Sequence, residues 1–135
     1  MKKLFISYEL ALKLKEKGFD EECLGTYRKG LLKWPVTGTF YIINSRLMSD
    51  ITAPLYQQVV DWLDTKHSIF ISVGYMKRSA EFYNGYYANL KGTNKKSLNE
   101  DNFITINNTS ALGYDVFKDK YQALDAAITH ALTLI

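Results

Sequence analysis

The residues that could do chemistry are few, and their spacing excludes most reaction classes. The only histidines are His67 and His130, and the only thiol is Cys23. No C-x-x-C or H-E-x-x-H spacing joins them, so no metal site or cofactor is expected. Asp61 and Asp64 share a helix side at i, i+3, and Glu81 could approach them as a hydrolytic acid set. Such pairs more often line a solvated helix face. GTNKKS at residues 92–97 has glycine and lysines but not the phosphate-loop spacing, nor a strand and helix around it. The expectation is a protein without catalytic residues.

One constellation competes with its structural explanation. Phe70, Tyr83 and Tyr87 can line one face of a strand pair, with Lys77 and Arg78 at its turn and Lys91, Lys95 and Lys96 in the segment that follows. Aromatic platforms with basic rims bind single-stranded nucleic acid by base stacking and phosphate contacts. These eight residues are the candidate binding face. Cover by the N-terminal helix or a second subunit is the competing arrangement, and on the sequence alone the favoured one.

The elements that must position these residues centre on residues 53–76. Leu55, Tyr56, Val59, Val60 and Leu63, with Trp62 beside them, make one apolar helical face. Pro54 suits the first helical turn, Ala53 the boundary, and Asp50 or Thr52 the cap. Lys66 and His67 close the helix. Ile69, Ile71, Val73 and Tyr75 then alternate with Phe70, Ser72 and Gly74, which predicts a strand with the first set buried.

Before this unit, Ser7 caps a predicted helix over 8–17, with Gly18 as its left-handed stop and Phe19 placed to meet Leu14. Residues 23–34 read as a weak hairpin or edge strand, 39–44 as a short strand, and 45–52 as a connection. After it come a strand over 81–90, a polar and mobile loop over 91–102, and strands over 103–107 and 111–117 around an Asn-Asn-Thr-Ser turn. A helix over 120–134 closes the chain, with Asp119 and Gln122 as a capping box. Its predicted stripe is Tyr121, Leu124, Ile128, Ala131, Leu132 and Ile135.

The fold class expected is α+β: one domain over all 135 residues, an antiparallel sheet of three to five strands, two main helices on one face, and a short N-terminal helix. Net charge is only +3, so basicity is weak support for nucleic acid. Ten tyrosines against two prolines suit a sheet with an amphipathic surface. One cysteine forms no internal disulfide, which fits a reducing compartment. No signal peptide is visible, and no run approaches the roughly 20 apolar residues of a membrane span. Asn107 and Asn108 each begin an N-x-Ser/Thr pattern, and both read as turn residues.

Three stretches in order, KLKEKGFDE (13–21), APLYQQVVDWL (53–63) with its strand, and YQALDAAITHALTLI (121–135), resemble a family of small uncharacterised proteins from phages and prophage regions of Bacteroides-type gut bacteria. The resemblance spans most of the chain and implies a phage or mobile-element context, with no activity and no named site. The helix–strands–helix order is also similar in outline to the double-stranded-RNA-binding fold, whose basic last-helix start is poorly matched by Lys118-Asp119-Lys120-Tyr121. The resulting expectation is a non-catalytic binding protein of the cytoplasm, with no membrane partner. Nucleic acid is its first partner; protein–protein interaction or self-assembly into an oligomer is the alternative.

Overall fold

Ser7 opens the first helix as its sequence predicts. The Leu10 N–H donates to Ser7 Oγ (3.3 Å), satisfying one of the amides that a helix start leaves without a partner. Helix α1 (Tyr8–Glu16) buries Leu10, Ala11 and Leu14 and ends at Gly18, whose φ is +84°. The Phe19 N–H reaches Leu14 O (2.9 Å) and the Gly18 N–H reaches Lys15 O (3.1 Å). That double closure is a Schellman stop, which glycine adopts without Cβ strain.

The computed structural model describes residues 2–34, 42–44, 47–77, 84–92, 103–106 and 116–135. Among these the chain is α+β, with three α-helices and two antiparallel three-stranded sheets. It divides into two compact units, Met1–Val59 and Val60–Ile135.

In the first unit a short 3₁₀ turn (Lys2–Leu4) precedes α1. Strands β1 (Gly25–Arg28) and β2 (Leu31–Lys33) form the expected hairpin. Its two-residue turn, Lys29-Gly30, holds both residues at positive φ, +50° and +75°, as a type I′ turn requires. β1 also pairs with β3 (Ile51–Ala53), so the sheet order is β2-β1-β3, and α1 packs on β3.

β3 corrects the reading of residues 45–52 as a connection and of Ala53 as a helix boundary. A residue before proline is pushed to extended backbone, which suits the last residue of a strand as well. All three β3 residues are buried. Pro54 lies before the helix and not in its first turn; its carbonyl accepts from the Ile6 N–H (3.1 Å). Helix α2 (Tyr56–His67) starts two residues later. Gln58 Oε1 accepts from the Leu55 N–H (2.9 Å), the return half of a capping box. Neither expected cap serves: Thr52 is in β3, and Asp50 Oδ2 pairs with Arg28 Nε (2.9 Å). Of the strand expected over 39–44, residues 39–41 lie outside the described residues. Ile42 forms a two-bond antiparallel bridge with the buried Cys23.

In the second unit Trp62 and Leu63 are buried, and Ser68 turns the chain at φ +54°. Strands β4 (Ile69–Met76), β5 (Gly85–Gly92) and β6 (Phe103–Ile106) follow, in the order β4-β5-β6. β5 carries Lys91 and Gly92 into the ladder, where the sequence placed them in a loop. The rest of that loop, and the turn at 107–110, lie outside the described residues. Of the strand expected over 111–117, Phe117 bridges Tyr86 through two backbone bonds of 2.8 Å.

Helix α3 (Lys120–Ala131) is capped by Asp119, whose Oδ1 accepts from the Tyr121 N–H (2.8 Å). Its buried residues are Ala123, Ala127, Ile128 and Ala131, so the packed stripe is turned towards the alanines. Tyr121 and Leu124 are only half-buried. Small side chains let the helix lie close to the sheet, and it packs mainly on β5.

Candidate nucleic-acid interface

Register decides what each face of the second sheet carries. β4 and β5 pair without interruption from Ile69↔Gly92 to Met76↔Gly85. Because side chains alternate across a strand, this sorts residues into two faces. The inner face holds Ile69, Ile71 and Val73 opposite Gly92, Leu90 and Ala88. Ile69, Ala88 and Leu90 are buried there under α3. The outer face holds Phe70 opposite Lys91, Ser72 opposite Asn89, and Gly74 opposite Tyr87. Lys91 and Asn89 pair onward with Phe103 and Thr105 of β6.

The outer face is open at its basic end. Phe70 is 45% exposed, and Lys91 is exposed beside it. Tyr87 is half-buried, and its ring lies across Gly74 so closely that a Cβ there would overlap the ring and its hydroxyl. Glycine at 74 is therefore what lets Tyr87 lie flat on the sheet. Lys77 is exposed just past the end of β4. Arg78, Tyr83, Lys95 and Lys96 lie outside the described residues.

Phe70 and Tyr87 are not neighbours. Tyr87 faces Gly74, four residues along β4 from Phe70, a spacing of about 13 Å. The polar row Ser72–Asn89 separates them. The face thus offers two aromatic stations with hydrogen-bonding groups between, lysine beside Phe70, and Lys77 just beyond the far end of β4.

Tyr75 departs from the pattern that predicts it buried. It is 57% exposed, with its ring edge-on to Tyr86 at 5.1 Å. The inner face is closed at the Ile69 end of β4 and open at the Tyr75 end.

The remaining candidates do not converge. Cys23 is fully buried, and burial pushes its thiol up to about 12, far from a nucleophile's range. The hydroxyl of the neighbouring Thr52 is buried as well. His67 packs against the Trp62 ring (4.5 Å between centroids), and its burial lowers its pKa. Asp61 is exposed, Asp64 half-buried, and Glu81 lies outside the described residues. Among the described residues no three His, Cys, Asp or Glu side chains come together as metal ligands. A shallow groove along α3, lined by Gln122, Asp125, Thr129 and His130 among others, was not anticipated. Its only signal in the sequence is the three-to-four-residue spacing of polar side chains.

No known protein-family model, curated protein or solved structure matches the chain. No described helix is long and apolar enough to cross a membrane.

Proposed function

We propose that the protein acts by binding and not by catalysis, and that the outer face of the β4–β5–β6 sheet takes single-stranded nucleic acid. The observation that carries this reading is the exposed pair of Phe70 and Lys91 at the end of the sheet where α3 closes the other face over Ile69 and Leu90. A flat aromatic accepts any base, and an adjacent ammonium suits the phosphate that follows it. Ser72 and Asn89 can hydrogen-bond sugar or base edges between the two aromatic stations. The resemblance to phage and prophage proteins gives this reading its setting, an accessory protein in the host cytoplasm.

Fluorescence anisotropy with a labelled single-stranded oligonucleotide at two salt concentrations tests it. Phe70→Ala is expected to weaken binding by about 1–3 kcal/mol, the worth of one stacked base. Lys91→Ala should weaken binding to all sequences alike and reduce the salt slope by about 0.7, one phosphate contact on a single strand. Absence of binding at low salt, or loss through both variants only in proportion to lost folding, would overturn the reading.

A further inference from the structure

β4 is an edge strand of its sheet. It is eight residues long, and its register with β5 has no bulge. Its sequence, IFISVGYM, contains no charge and no proline. An edge strand presents outward amides and carbonyls that template a further strand, and proteins usually blunt such edges with lysine, proline, bulges or short length. Among the described residues β4 carries none of these devices, and no described strand pairs with its outer side.

The side chains add a second observation. Phe70 on the outer face is 45% exposed, and Tyr75 on the inner face 57%. Each face of this edge therefore shows one large aromatic to water, and Tyr75 does so at a position where alternation calls for burial.

We propose that a second copy of the chain pairs with β4 antiparallel to it, joining two three-stranded sheets into one. The occupant follows from symmetry. A two-fold axis normal to the sheet makes an antiparallel edge its own complement and keeps inner and outer faces continuous across the seam. Facing residues must then lie on the same face of their sheets, so the pairing centres on Ser72 or on Val73. Centred on Ser72, Phe70 of one copy faces Gly74 of the other, where a Tyr87 ring lies, and Tyr75 faces Ile69. Centred on Val73, Phe70 faces Met76 and Tyr75 faces Ile71. Both registers set both exposed aromatics against apolar partners, supplied by β4 and, over Gly74, by the Tyr87 ring of β5. A foreign peptide would need the same uncharged alternation to do so.

The pairing draws on Phe70, which the nucleic-acid reading also uses, and it is tested without nucleic acid, so that either reading can fail while the other stands. Sedimentation velocity over a concentration series should show the full chain as a dimer, with β4 amides that exchange slowly in the dimer and fast on dilution. Ser72 is exposed, so Ser72→Lys should keep the circular dichroism spectrum and a cooperative melt while sedimenting as a monomer: centred on Ser72 the two lysines face each other, and centred on Val73 they are diagonal neighbours across the seam, each set against the other copy's Gly74 and its Tyr87 ring. A wild-type chain that stays monomeric throughout overturns the proposal. So does a dimer whose β4 exchange ignores concentration, or a folded Ser72→Lys variant that still dimerises. The exchange readout on the wild-type chain decides the matter even where the variant does not fold.

Discussion

Trp62→Ala is expected to lose about 3–5 kcal/mol of unfolding free energy, the range for truncating a large core aromatic. Trp62 is 5% exposed and lies on the same helical face as Val59 and Leu63, both fully buried. Its ring also meets the His67 ring edge-on, at 4.5 Å. Truncation removes the transfer free energy of the indole and leaves a cavity that neighbouring turns of α2 cannot fill without moving the helix. Whole-domain stabilities are only about 5–15 kcal/mol, so a loss of this size should bring the urea midpoint down sharply. Trp62→Phe, which keeps most of the ring volume, should lose much less. A midpoint for Trp62→Ala within error of wild type would show that the face of α2 bearing Trp62 is not a core face.

The same tryptophan shows why part of this fold was legible. Val59, Trp62 and Leu63 recur at helical spacing, and nothing in longer-range structure contradicts that period. The Gly18 stop was legible because a left-handed residue after an apolar helix has few other uses, and both Schellman bonds form. The strand Ile69–Met76 was legible because β-branched residues alternate in it.

β3 was not legible. Ile51-Thr52-Ala53 is three residues long, buried on both faces, and ends against a proline. Burial on both faces erases alternation, and the pre-proline rule fits a strand end and a helix start equally. The stripe of α3 was misplaced for a related reason. Alanine scores weakly as an apolar marker, yet close packing against a sheet selects for it, so Ala123 and Ala127 lie inward while Leu124 lies half out. At the candidate site, the parity of Phe70 and Tyr87 was readable from each strand separately. Their separation was not, because it depends on the register that sets Gly74 beneath Tyr87.

Asn44 is the residue whose weight the sequence concealed most. It reads as the polar end of a short strand, but it is 6% exposed and holds two backbone groups together. Its Nδ2 donates to Phe19 O (2.8 Å), and its Oδ1 accepts from the Thr52 N–H (3.0 Å). The amide thus ties the stop of α1 to β3, 25 and 8 residues away in sequence. Asn44→Ala leaves a buried carbonyl and a buried N–H without these partners. At about 1–3 kcal/mol for each buried bond lost, the expected loss is about 2–6 kcal/mol. Chemical denaturation measures it, and a loss under about 0.5 kcal/mol, the level of a neutral surface change, would show that the bridge contributes nothing to stability. Asn44→Asp separates the two bonds. It keeps the acceptor for Thr52 but sets a carboxylate against the Phe19 carbonyl, so the new carboxyl's pKa in the folded chain should rise above the unfolded value of about 3.9. A raised folded pKa means the protonated, donating form favours folding. The variant should therefore gain stability relative to wild type as pH falls through that raised value, with the full gain present below about 3.9, and lose it again as pH rises. A stability difference between the two proteins that stays constant with pH would place the introduced carboxyl in water and break the tie between α1 and β3.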